Sequence, residues 1–434
     1  MLLAGGLRAL LAPDLRAPQH IATGAILGLL LALPIGLVGG TILGLLMLAV
    51  SCIALVAGGW HQLGQQPAFE DIPAPDPTPL YCARVALDDT VLNLFSLMAP
   101  LPKQDDLKEA VRESETAHAL FTDRGWIGNP ASFHVAPPEI QSVEWKPIRV
   151  GGFDCEQLSF DSEFEPHPGM PGRDRWLSYR ENRTCHAWVL CNKQPGPWLI
   201  CVHGAAMGNP RQDFRAFRAR ELHERTGLNV AMYVLPVHGP RTPGGFSGAK
   251  FFGHSPLDFL HAESQAIWDL RRLIDWLYQQ EASQIGVFGI SLGGYTSALL
   301  AGLEDRLDCV IASVPPSDMI HTTREYLAGS VERRLSAAAG VDNKRDRELY
   351  RVVSPLAMSP RVEHKGRFIF AATGDQFVPI EQVRALWLHW QKPRISWCTG
   401  GHLSSQMQRE FHLLVDEAIA NSFGPSSVGA KSRA

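Results

Sequence analysis

Charge is missing where this chain begins. Residues 21–59 contain no Asp, Glu, Lys or Arg, and Leu, Ile, Val, Ala and Gly dominate the stretch. Other absences narrow the function. The eight cysteines never fall at C-x-x-C spacing, so neither a zinc knuckle nor a thioredoxin-like redox pair is indicated. Most read as small buried thiols, which suits a reducing compartment. Lys and Arg (40) do not outnumber Asp and Glu (44), and the two signs are mixed along the chain. A nucleic-acid surface needs a basic patch or stripe, so the expected partners are small molecules or lipid, with no nucleic acid.

What stands at the front is about twice the apolar length that one helical membrane crossing needs, roughly 20 residues. Pro34 and the Gly39-Gly40 pair divide it. The natural division is two spans, residues 21–37 and 41–59, within a membrane segment of 21–60; a hairpin buried inside a globular domain is the alternative. A cleaved signal peptide fits poorly, because its apolar core is far shorter. Arg8 and Arg16 precede the first span and the turn carries no charge. The positive-inside tendency then puts the N-terminal tail, residues 1–20, in the cytoplasm. A hairpin returns the rest of the chain to that side. A Pro-rich linker is expected over 61–80, a helical accessory region without evident chemistry over 81–149, and a disordered tail over 425–434.

From about residue 150 the texture alternates between β-branched runs and helical ones. TCHAWVLC, PWLICV, LNVAMYVLP, QIGVFGI, CVIASV, RFIFAAT and RISWC read as strands. PRQDFRAFRARELHERTG reads as one helix, and others follow the later strands. Strands alternating with helices predict a mostly parallel, doubly wound α/β sheet over 150–424. Ligands bind such sheets outside the carboxyl ends of the strands, so candidate residues are those that directly follow strands.

Four segments do so. Gly289-Ile290-Ser291-Leu292-Gly293-Gly294 fits G-x-S-x-G between a strand and a helix, where a sharp turn projects the Ser291 hydroxyl as nucleophile. A glycine-rich helix start holding phosphate is the rival, but no phosphate-loop or dinucleotide pattern accompanies the segment. His203-Gly204-Ala205 follows PWLICV. Acyl transfer needs two backbone N–H groups aimed at the oxyanion, and Leu292 and Ala205 are the expected donors, with His203 structural. Asp375, after RFIFAA, is the expected acid that orients a histidine, and Asp318, after CVIASV, is the alternative. His402, after RISWC and flanked by Gly400 and Gly401, is the expected base.

The order Ser291, Asp375, His402, together with the early His203-Gly204, GISLGG, GDQFVP and GGH, resembles the α/β-hydrolase superfamily over 150–424. The GISLGG elbow and the segment Leu235-Pro236-Val237-His238-Gly239-Pro240-Arg241 are similar to those of its esterases, acyl hydrolases and some serine peptidases. The resemblance implies an inserted helical cap at about 315–360, with Tyr326, Leu327 and Leu335 as candidate pocket residues, and no metal or organic cofactor. It implies a serine hydrolase, most simply one that cleaves esters of hydrophobic acyl groups. A peptidase or acyltransferase on the same triad is an alternative, as is an idle, ligand-binding hydrolase fold.

Overall fold

The computed structural model describes residues 17–74, 76–98, 101–192, 194–253 and 255–424. The expected tail over 425–434, and residues 1–16, including Arg8 and Arg16, lie outside the described residues.

Helices α1 (Ala17–Gly39) and α2 (Thr41–Leu63) form an antiparallel hairpin. Gly40 alone separates them, at φ 99°, a backbone conformation that glycine adopts without a Cβ clash. The break falls at Gly40, between the two expected spans, and α1 runs through Pro34. Proline removes one intrahelical hydrogen bond, a loss that apolar helices in lipid tolerate when neighbours compensate. Small residues bring the pair together: a Cβ on Gly44 would stand 2.6 Å from the Gly36 Cα, and one on Gly28 would overlap the Ser51 hydroxyl. Close approach of this kind holds helices together where water cannot drive association. Each helix is long and apolar enough to cross a membrane, and most of each is uncovered by protein.

Helix α3 (Pro79–Met98) is seated on the open end of this hairpin. Gly59 of α2 leaves room for the Cys82 carbonyl, and Asn93 donates to the Thr23 hydroxyl of α1 at 2.8 Å. Helix α4 (Gln104–Asp123) is amphipathic and buries Leu107, Ala110, Ala117 and Phe121.

The sheet begins at β1 (Glu144–Val150), inside the stretch expected to be helical. With β2 (Phe153–Asp161) it makes an antiparallel hairpin turned by Gly151 and Gly152. Then come β3 (Thr184–Leu190), β4 (Trp198–Val202), β5 (Asn229–Tyr233), β6 (Ile285–Ile290), β7 (Cys309–Ser313), β8 (Arg367–Ala372) and β9 (Arg394–Cys398). Their spatial order is 1-2-3-5-4-6-7-8-9. Pairings from β5 to β9 are parallel, and those on the β1 side are antiparallel. Apolar cores cover both faces, which is why β4 to β8 read as continuous apolar runs.

Two helices, α5 (Pro210–Ala216) and α6 (Ala219–Thr226), replace the single one expected after β4. Arg218 between them is left-handed, at φ 49°. Helix α7 (Pro256–Gln279) starts from a Ser255–Asp258 capping box. Helix α8 (Leu292–Leu300) follows β6 directly. Between β7 and β8 lie a π-helical turn (His321–Tyr326), α9 (Ser330–Ala339) and α10 (Asn343–Tyr350). This insertion meets α4 through His118–Glu348 at 2.7 Å and Arg345–Glu115 at 3.2 Å. Helices α11 (Ile380–His389) and α12 (Arg409–Phe423) complete the chain. The strand order reverses around β4, with β5 on one side and β6 on the other. In open α/β sheets a ligand crevice forms at such a reversal.

Candidate active site

Ser291 stands between the last residue of β6 and the first of α8 at φ 57° and ψ −117°. A non-glycine residue in this region costs on the order of 1–3 kcal/mol and persists only when its surroundings hold it. Its N–H donates to the Ser313 carbonyl at 2.8 Å, and the flanking glycines close the turn. A Cβ at Gly289 would overlap the Gly293 carbonyl, and one at Gly293 would overlap the Val202 carbonyl of β4. The turn thus aims the side chain off the carboxyl edge of the sheet.

His402 meets that side chain, with its Nε2 2.9 Å from Ser291 Oγ. Its Nδ1 lies 2.6 Å from Asp375 Oδ2, so the Nδ1–H donates to the carboxylate and Nε2 is left to accept from the serine. The other oxygen, Asp375 Oδ1, accepts from the N–H groups of Phe377 and Val378, both at 2.8 Å. The Phe377 ring stacks on the imidazole at 4.9 Å. Burial alone pushes the His402 imidazole down, but the Asp375 charge and hydrogen bond, helped by Asp88, hold it above its ordinary value. Asp318 does not join them: its carboxylate takes the His321 N–H and the Arg347 guanidinium.

Leu292 opens α8, where the first N–H groups have no partner within the helix. The Gly204-Ala205 loop lies against the serine, since a Cβ on Gly204 would be 3.4 Å from Ser291 Cβ. His203 holds the base of that loop: Nδ1–H donates to the Gly204 carbonyl at 2.8 Å and Nε2 accepts from Leu235 N–H at 3.1 Å. Burial pushes its pKa down to about 4, so the ring is neutral at neutral pH. The glycine-rich loop after β5 braces the same turn through Ser247, which donates to the Met207 carbonyl. Its Phe251 is buried, whereas Phe246 is exposed.

Residues 264–392 match the sequence profile of the prolyl oligopeptidase family. Two uncharacterized proteins of Mycobacterium tuberculosis, MT2702 of strain CDC 1551 and Rv2627c of strain H37Rv, are each 39% identical over 370 residues, which is 85% of this chain and 88% of theirs. The chain belongs with them to one family of the α/β-hydrolase superfamily. Similar solved structures include acetyl xylan esterase 1 from Thermoanaerobacterium, 18% identical with a TM-score of 0.48 over 69% of this chain and 93% of that one. Another is the Pyrococcus horikoshii acylaminoacyl peptidase, 13% identical with a TM-score of 0.40 over 68% of this chain and 43% of that one. The profile match and the Asp375–His402–Ser291 geometry together make this chain a hydrolase of the esterase and peptidase kind.

The accessory region, where no chemistry was expected, reaches the centre of this hydrolase site. One face of α3 carries Tyr81, Arg84, Val85 and Asp88, at helical spacing. Tyr81 donates to Thr373 Oγ1 at 2.8 Å, and that hydroxyl donates on to the Cys398 carbonyl. Arg84 donates to the Thr399 carbonyl at 3.2 Å. Asp88 Oδ2 accepts from the N–H of His402 at 2.5 Å and of Gln376 at 3.2 Å, and Oδ1 from that of Leu403 at 3.1 Å. Its neighbour Asp89 is fully buried, and burial with the Asp88 charge pushes its carboxyl far up. Tyr326 of the insertion stands close enough to feel Asp89, Asp375, Glu381 and Asp88. The available signal was the Asp88-Asp89 pair within the apolar run CARVALDDTVLNLF.

Proposed function

We propose that the protein is a serine esterase acting on esters of hydrophobic acyl groups, through an acyl-enzyme on Ser291. The observation that carries the reading is the unbroken relay from Asp375 through His402 to Ser291. His402 Nε2 removes the Ser291 proton as Oγ attacks the ester carbonyl, and the N–H groups of Leu292 and Ala205 hold the oxyanion. Asp375 keeps the imidazole in the correct tautomer and steadies the imidazolium. His402 then protonates the leaving alcohol, takes a proton from water, and the water cleaves the acyl-enzyme.

Hydrophobic acyl groups are favoured by what surrounds the relay. Leu403 and Met407, beside His402, are exposed, and so are Leu80, Leu87 and Leu94 along one line of α3. This apolar surface adjoins a hairpin that we read as the membrane anchor, with the catalytic side in the cytoplasm. A reporter fused to the C-terminus checks the side: an external signal would sink the hairpin topology.

Fluorophosphonate labelling, with turnover of p-nitrophenyl esters from acetyl to palmitoyl, tests the chemistry. Ser291→Ala is expected to abolish labelling and to lower turnover by on the order of 10⁶. Absence of labelling in the folded wild type would refute the reading. The prolyl oligopeptidase match favours a second reading, a peptidase on the same triad. Faster cleavage of amides than of matched esters would select it.

A further inference from the structure

Asp88 is a buried carboxylate for which acyl transfer has no direct use, yet its hydrogen bonds are unusually concentrated. Three backbone N–H groups donate to it, all from the two loops that carry the acid and base of the triad. We propose that Asp88 is a positioning residue that clasps the Asp375 and His402 loops to α3, so that α3, seated on the membrane hairpin, holds the imidazole in line with Ser291. This rests on the reading of Ser291 as the nucleophile.

The surroundings are shaped for that contact. Gly401 has no room for a side chain, since its Cβ would stand 2.5 Å from Asp88 Oδ2 and 2.9 Å from the Arg84 carbonyl. A Cβ on Gly374 would be 2.6 Å from Val85 Cγ2 and 2.8 Å from the Tyr81 ring. The glycines of both loops are therefore notches into which α3 fits. A glycine-rich loop has many conformations to lose, and the hydrogen bonds of the His402 side chain, at its two ring nitrogens, do not fix its backbone. Asp88 fixes its backbone, and the same carboxylate ties that backbone to Gln376, the residue after Asp375.

The charges around the clasp determine its pH behaviour. Asp88 faces Asp375 and His402 from the loops, with Arg84 and Asp89 on its own helix and Tyr326, itself near Glu381, across the site. Burial and the Asp375 charge push the Asp88 carboxyl up to about 7, while His402 and the backbone N–H groups oppose them. Once ionised, it adds to the negative potential that holds the His402 pKa up.

The test compares fluorophosphonate labelling of the full-length wild type and Asp88→Asn in detergent, resolving the maximal rate from the half-saturating probe concentration across pH. Asparagine keeps the shape but sets an amide NH₂ against one of the three N–H donors. Its maximal rate is expected to fall about 10–100-fold, the scale of an ångström-sized misplacement. The half-saturating concentration should stay within about twofold, as no probe contact is lost. The acid limb should also move to lower pH, because the neutral imidazole persists further into acid. A folded Asp88→Asn with the wild-type rate, or a slower one with an unmoved acid limb, overturns the clasp. Should Asp88→Asn not fold, Gly401→Ala separates the same two groups from the loop side. It is expected to slow labelling, and a wild-type rate overturns the proposal. A wild type that does not label refutes the Ser291 reading itself, and the clasp with it.

Discussion

Strand β6 and helix α2 are both apolar almost end to end, and the fold treats them in opposite ways. All six residues of β6 are buried in the middle of the sheet. Helix α2 leaves Ile42, Leu45, Val50 and Ile53 uncovered. The difference lies in the backbone. A strand needs neighbours on both sides to satisfy its N–H and C=O groups, so an apolar strand is drawn into a sheet and covered. A helix satisfies its own, so an apolar helix can face hydrocarbon. Composition alone tells that a segment avoids water; the backbone tells what replaces the water.

The strongest way to break this comparison is to delete side chains in both regions. Phe370→Ala in β8, where the ring is fully buried, is expected to cost about 3–5 kcal/mol of folding stability by denaturant titration in detergent. Leu37→Ala in α1, where the side chain is 79% exposed, should stay within about 0.5 kcal/mol. A comparable loss at Leu37 would mean that protein covers the hairpin after all. A smaller effect should follow from Gly44→Ala, whose Cβ presses on Gly36 and on the Ala32 carbonyl. The expected cost is about 1–3 kcal/mol, read as faster hydrogen exchange in α1 and α2 with the sheet amides unchanged.

The gentlest test uses pH, which acts on the catalytic side and finds no charged group in residues 21–59. Glu263 in α7 is fully buried, accepts from Thr296 at 3.1 Å, and is pushed up to about 8 by burial. A folded pKa above the unfolded one means that the folded state keeps a proton the unfolded state has lost. Its contribution is therefore full below the ordinary glutamate range and is lost as pH rises through about 8. Across that window the wild type should lose about 1.4 kcal/mol per pH unit relative to Glu263→Gln. Parallel melting curves at all pH values would refute a buried neutral Glu263.

These regions also differed in how much of them could be read from sequence. Ser291, Asp375 and His402 each sit where a strand ends, so local pattern pointed to the three residues that the structure brings together. The sheet's first strand was harder. Glu144–Val150 is mostly exposed, so it lacks the apolar run that marks β4 to β8 and was absorbed into a helical region. The break at Arg218 was hidden because no glycine or proline marks it. Asp88 was beyond local pattern altogether: its partners lie 288 to 315 residues away in sequence, and only the presence of two acids in an apolar helix hinted at them.

The seating of α3 on the hairpin bears on how the enzyme can be handled. A shortened chain beginning at β1 would keep every strand and all three triad residues, and by motif it would pass for complete. It would lack the helix that fills the notches at Gly374 and Gly401, leaving three loop N–H groups to water. Such a fragment would behave like a zymogen, assembled but unlatched, and its silence in an assay would say nothing about the intact protein. On the proposed clasp, the hairpin acts less as a tether than as a bolt: conditions that loosen α3 from it are expected to slow labelling of Ser291 without unfolding the sheet.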